Sequence, residues 1–307
     1  MIFGLVTLVF FLSRLLPGDP ASLYIVPGIP PRVAEELRAQ FGLDRSLWDQ
    51  YLAWLSSTLH GELGYSFAHG APVRDVLLHV FPNTLVLGGC ALVLECLLAL
   101  VLAALAVRFA GSWFDRALSS MTLVAYSLPS FWVGILLLSL LSFSFRILPA
   151  SQMHSPGVEQ LGAAASLGDL LMHLALPALT VATPGIAALA RYLRTSMTEI
   201  VKQEFVVAAV GMGLTRGSVF RSYILPNSLG PVISVLGVEA GVLLTGVLVS
   251  ETLFAWPGMG RLAVMAIFSR DYPVILGCTL SGGVLIVAAN IVADFLRAWI
   301  DPRIRLT

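Results

Sequence analysis

Charge is scarce in this chain: Asp, Glu, Lys and Arg make up only 12% of its 307 residues, about half the share of a typical soluble domain. Lysine is nearly missing, with Lys202 as its one instance. The 18 basic and 18 acidic residues cancel, which argues against the strongly basic surface that nucleic-acid binding needs. The three cysteines, Cys90, Cys96 and Cys278, sit inside apolar runs without CxxC spacing, so neither a disulfide framework nor a thiolate metal site is indicated. The five histidines are scattered and HExxH does not occur, so no metal site is expected. GxSxG and GxxxxGK[ST] do not occur either, which leaves no nucleophile elbow and no loop to cradle the phosphates of ATP.

What is abundant is hydrophobicity, at 57% of residues and a mean hydropathy of +0.88. Six apolar runs stand out, at about 1–16, 84–107, 118–145, 170–190, 228–250 and 275–300. A hydrocarbon core of about 30 Å takes roughly 20 helical residues to cross, so the chain reads as an all-α polytopic membrane protein, a six-span helical bundle. The first run is short, since 16 residues rise only about 24 Å. It has no basic n-region and no small-x-small cleavage site near Pro17, so a secretory signal is disfavoured. The expectation is a helix whose natural start lies upstream.

An even number of spans puts both termini on one side. Ten basic residues then fall on that side: Arg108, Arg116, Arg191, Arg194, Lys202, Arg216, Arg221, Arg297, Arg303 and Arg305. The short loops on the other side hold only Arg146, Arg261 and Arg270. Residues 17–83, with four arginines, are long enough to be exported largely regardless of charge. Positive residues stay inside, so both termini are expected in the cytoplasm.

The exported segment 17–83 has helical pattern. Pro30 and Pro31 suit a first turn before Val33, Leu37 and Phe41. Leu47, Trp48, Tyr51, Leu52, Leu55 and Leu59 form a second stripe, with Gly61 as a stop. Val73, Val76, Leu77, Val80 and Phe81 predict a third, short amphipathic helix ending before Pro82. Such helices lie at the membrane surface or cap a bundle.

Within the spans, Pro129, Pro177, Pro184, Pro231 and the Gly237/Gly241 pair suggest kinked, closely packed helices. Glu95, Glu239 and Asp294 each cost roughly 2.5 to 3.5 kcal/mol near the bilayer centre and should face the bundle interior. Asp294 can pair with Arg297. Glu95 and Glu239 either line a translocation path or satisfy a neighbouring helix.

The stretch from Arg191 to Leu225 is too regular for a tether. Glu204 to Ala209 make a helical run, Gly211 and Gly213 break it, and Thr215 can cap a second helix through Leu225 that ends at Pro226. A helix-Gly-helix elbow of this kind is a knob that docks into a groove on a soluble partner.

The run VAAVGMG, with YILP ten residues after Gly213, resembles the EAA loop of permease subunits of ABC importers; Ala208, Ala209, Gly213, Leu225 and Pro226 match its pattern, while Val207 and Tyr223 depart from it. PGDP at Pro17–Pro20, GLDRSLWDQYLAWL and GELGYSF between Gly42 and Phe67, ETLFAWPGMGRL with RDYP over Glu251–Pro273, and DPRIR over Asp301–Arg305 are similar to the dipeptide, oligopeptide and nickel permeases of that superfamily. The resemblance covers essentially the whole chain.

It implies a six-span half-pore of the type I ABC importer kind, with a long helical extracytoplasmic segment after the first span, in the inner membrane. Such a subunit pairs with a second homologous permease, rests on two cytoplasmic ATPase subunits that bind the ATP, and receives substrate from an extracytoplasmic binding protein. Glu204, Ala208, Ala209, Gly213, Leu225 and Pro226 are then the ATPase-coupling residues. The permease itself performs no covalent chemistry. Peptides are the favoured substrate; nickel, glutathione and other solutes share the motifs. A proton-coupled secondary transporter using Glu95 and Glu239 is the rival from another class, ahead of an intramembrane enzyme, for which no nucleophile and base or ligand cluster is visible.

Overall fold

Long apolar helices, broken where glycine or proline demands it, make up nearly all of the computed structural model, which describes residues 2–15, 44–66, 68–229 and 247–300. The expectations placed on residues 17–41, on Pro231, Gly237, Glu239 and Gly241, and on 301–305 lie outside the described residues. The chain divides into two units, Met1–Thr84 with Pro257–Leu285 and Leu85–Trp256 with Ile286–Thr307.

In the first unit, α1 (Ile2–Leu15) packs on α2 (Leu47–Leu59). Ser46 starts α2 by accepting from the Asp49 amide at 3.2 Å, a side-chain cap for one of the free N–H groups of the first turn. The helix ends at His60, and Gly61 turns the chain away at a φ of +85°, so the stripe and stop expected here are present. Phe10 and Tyr51 are buried ring against ring, 5.3 Å apart, and the Tyr51 hydroxyl lies 2.8 Å from that of Thr7. Strands β1 (Tyr65–Ser66) and β2 (Ala71–Pro72) form an antiparallel hairpin with Ser66 opposite Ala71.

The expected short helix ending before Pro82 is instead the first part of α3 (Val73–Arg108), a 36-residue helix that carries Pro82 inside it. Its start therefore falls eleven residues before position 84, where the span was expected to begin. Proline removes one helical hydrogen bond, a loss of the order of 3 kcal/mol that tertiary packing outweighs here. Val73 and Leu77 are buried against α9 (Met259–Phe268) and the start of α10 (Tyr272–Ile300). Gly277 makes the approach feasible: a Cβ there would fall 2.7 Å from Val73 Cγ1 and 3.0 Å from Leu77 Cδ1.

Two polar clasps complete this unit. Asn83 donates to the Pro257 carbonyl at 2.8 Å, and the Met259 amide donates to Thr84 Oγ1 at 2.7 Å, so α3 fastens the WPGMG loop at the start of α9. Asp271, 1% exposed, precedes α10 and accepts from the Val274 amide at 3.4 Å. Its other oxygen accepts from Ser66 Oγ at 2.6 Å and from the Ala68 amide at 3.3 Å. The RDYP and GYSF motifs thus meet on one carboxylate.

In the second unit, α4 (Trp113–Ser127) and α5 (Ser130–Leu137), which continues as a π-helical turn over Leu138–Ser144, are bent by 108°. The kink expected at Pro129 within the span over 118–145 is here a full break, because a residue before proline is pushed out of the helical region and Leu128 has φ −82°, ψ 134°. α6 (Ala163–Val201) runs 39 residues through Pro177 and Pro184 without a break and packs against α4 and α5. Gly134 on α5 allows this approach, since a Cβ would sit 3.0 Å from Thr180 Cγ2. Among the described residues, three helices are long and apolar enough to cross a membrane, and a fourth if the bent pair counts as one span.

Candidate functional site

The residues expected to meet an ATPase gather on a hairpin hung from the end of α6. α7 (Glu204–Gly211) follows within three residues of Val201, and its amphipathic spacing divides it into two faces. Val206 and Ala209 turn inward, buried against Leu189, Leu193 and Met197 of α6 and Ala99 and Ala103 of α3. Val207 and Val210 turn outward, 61% and 55% exposed, and are joined by Met212 at 72%. Glu204 and Ala208 share that exposed side.

The bend is a helix stop closed by glycine. The Leu214 amide donates to the Ala209 carbonyl at 3.3 Å and the Gly213 amide to the Val210 carbonyl at 3.0 Å. This pair of bonds, closing two of the free carbonyls at a helix end, is the Schellman pattern, and it places the residue after the cap in the left-handed region. Gly213 occupies that place with a φ of +83°, where a side chain would be strained. Thr215 at once starts α8 (Arg216–Val219), accepting from the Ser218 amide at 3.3 Å.

The second arm does not end at Pro226 as expected. It widens into a π-helical turn over Phe220–Ile224 and stays helical through residue 229. The side chains of Asn227 and Ser228 donate to the carbonyls of Tyr223 and Ile224, adding donors where proline supplies no N–H. Leu225 is half-buried beside the inner cluster and Pro226 is exposed.

Of the two carboxylates proposed for a path, Glu239 lies outside the described residues. Glu95 is on α3 and 0% exposed. Its carboxyl occupies the space opposite Gly185 of α6, where a Cβ would fall 2.6 Å from Oε1 and nearer still to Cδ and Oε2. A glycine on one helix has made room for an acid on the next. Asp294 is in α10.

Sequence reasoning passed over Asp115 and Arg194, whose 2.9 Å ion pair ties the start of α4 to α6. Asp115 also accepts from the Gly111 amide at 3.1 Å and is buried, while Arg194 is partly solvated. The pair is 79 residues apart in sequence, so no local spacing announces it. The clasp at Asp271 carried a weaker signal: an acid just ahead of an apolar run is a helix-start mark.

The family of binding-protein-dependent transport system inner membrane components matches residues 96–306, and the N-terminal counterpart of that family matches residues 1–88. The dipeptide transport system permease protein DppB of Escherichia coli K12 is 33% identical over 319 residues, covering 98% of this chain and 94% of its own length. The oligopeptide transport system permease protein AppB of Bacillus subtilis is also 33% identical, with 99% and 95% covered. Among solved structures, the inward-facing MetNI methionine ABC transporter aligns with a TM-score of 0.60 over 74% of this chain and 97% of the other, at 12% identity. That likeness concerns the fold.

Proposed function

The chain belongs to the family of binding-protein-dependent transport system inner membrane components, and from this membership we propose that it is the permease subunit of an ATP-driven ABC importer carrying short peptides across the cytoplasmic membrane. Peptides are favoured because full-length relatives from two distant bacteria are named as dipeptide and oligopeptide permeases.

The observation that carries the mechanism is the α7–Gly213–α8 hairpin. Its inner face is locked into the α3–α6 core and its outer face leaves Val207, Val210 and Met212 in solvent. A contiguous exposed apolar patch on a structured knob marks a docking surface. The occupant we propose is the groove of a cytoplasmic ATPase, which binds the ATP this chain has no loop to hold. Valine at position 207, where the family pattern has glutamate, makes that contact apolar at this point. Glu204, Ala208, Ala209, Gly213, Leu225 and Pro226 shape the knob and its root.

The assembly we propose has this chain, a second homologous permease, two ATPases and an extracytoplasmic binding protein, with both termini of this chain in the cytoplasm. Closure of the ATPase dimer pulls on the hairpin. Because Ala209 and Val206 are packed into the α6 core, that displacement is passed to the spanning helices, shifting the balance between inward-open and outward-open states.

Proteoliposomes holding the complete assembly and its binding protein test this. Peptide uptake should persist when a protonophore collapses the proton gradient and stop when the ATPases carry an inactivating substitution. Uptake that follows the proton gradient and ignores the ATPases would replace this reading with a secondary transporter.

A further inference from the structure

The exposed side of α6 carries an open cavity with charged side chains at its ends that the coupling mechanism does not use. Tyr126 of α4 and Arg191, Tyr192, Thr195, Ser196 and Glu199 of α6 line an open space of about 510 Å³, a size that accommodates a small ligand. Positions 191, 195 and 199 recur every fourth residue and 192 and 196 accompany them, so one helical face holds all five. At about 1.5 Å per residue, Arg191 and Glu199 are separated by about 12 Å along the axis.

The two ends of the cavity have opposite charge. The Arg191 guanidinium lies 5.4 Å over the Tyr126 ring, which orients it without neutralising it. Glu199 is exposed two residues before the end of α6. Among the described residues neither joins an ion pair, whereas the neighbouring Arg194 is committed to Asp115.

Resting on the peptide-import reading above, we infer that this cavity is a peptide subsite in which Arg191 takes the C-terminal carboxylate and Glu199 the N-terminal ammonium of a di- or tripeptide. Two or three extended residues span about 7 to 10 Å, which long arginine and glutamate side chains at that axial spacing can bracket. The last turn of a helix carries partial negative charge, so the ammonium belongs at the Glu199 end and the polarity is fixed. The hydroxyls of Thr195 and Ser196 lie between; that of Thr195 donates to the Arg191 carbonyl at 3.1 Å and keeps its lone pairs to accept from a peptide N–H. Recognition by end groups alone suits a carrier that must accept many side chains. Glu199 is only five positions before Glu204, so the subsite and the coupling hairpin share one end of α6.

The test uses the permease–ATPase complex in nanodiscs without binding protein, with tritiated alanyl-alanine measured by equilibrium dialysis against its C-terminal amide and N-acetyl derivatives. Wild-type complex should bind the free zwitterion saturably and prefer it to both derivatives. R191Q should weaken binding about tenfold or more and erase the preference over the amide; E199Q should erase the preference over the N-acetyl form. A merely structural role for either residue would lower all three peptides together, and that result overturns the subsite, as does the absence of saturable wild-type binding. Uptake by the complete assembly is measured in parallel. ATP-driven peptide uptake without binding at this face removes the subsite and leaves the importer; no peptide uptake removes both.

Discussion

Replacing Gly185 with alanine tests the packing of α3 against α6 at its tightest described polar point. The added methyl would fall 2.6 Å from Glu95 Oε1, so one of the two must give by several tenths of an ångström or more to restore ordinary contact. Glu95 ends a flexible side chain, yet it is fully buried and has no solvent to swing into. Relief therefore requires the helices to part or the carboxyl to find another buried place. Overpacking of a close-packed core costs about 1 to 3 kcal/mol, which should appear as a lower unfolding midpoint of purified permease in mixed micelles. The decisive measurement is the cycle with Glu95→Ala. Removing the carboxyl empties the space the methyl needs, so G185A should cost at least about 1 kcal/mol less in that background than alone. Additivity within about 0.5 kcal/mol, or a neutral G185A, would refute the packing argument.

Two further substitutions probe the turns. At Gly213 nothing lies within 4 Å of a built Cβ, so the penalty comes from the φ of +83° and not from a clash; it should be about 1 to 2 kcal/mol for alanine, smaller for asparagine and larger for valine. Uptake by the assembly should fall in the order Asn, Ala, Val while ATP hydrolysis and membrane insertion persist, and a flat series would separate this turn from coupling. Asp271→Ala removes the acceptor of Ser66, Ala68 and Val274, a loss of about 2 kcal/mol or more, and should expose the chain near Tyr65–His69 to limited proteolysis; unchanged protection would show that the clasp holds nothing.

The sequence revealed most where structure depends on neighbours along the chain. The stripe from Leu47 to Leu59 with its stop at Gly61 is local, as is the elbow at Gly213 with its cap at Thr215, and both are found where expected. Proline was the weaker guide, because its effect is settled by what lies across from it. Pro129 breaks a helix pair, whereas Pro82, Pro177 and Pro184 ride inside helices whose apolar faces are buried. Pairs between distant positions left no trace: Glu95 fits opposite Gly185, and Arg194 opposite Asp115. The cavity beside Tyr126 escaped notice for the same reason, since its wall joins α4 to α6.

The bond between Ser66 and Asp271 bridges 205 positions. A ribosome adding roughly 5 to 20 residues per second needs about 10 to 40 s to deliver the second partner after the first. Throughout that interval the β1–β2 hairpin waits for its anchor, and nascent chains cut short before residue 271 never acquire it. Anchoring of the hairpin thereby records that synthesis has passed residue 271.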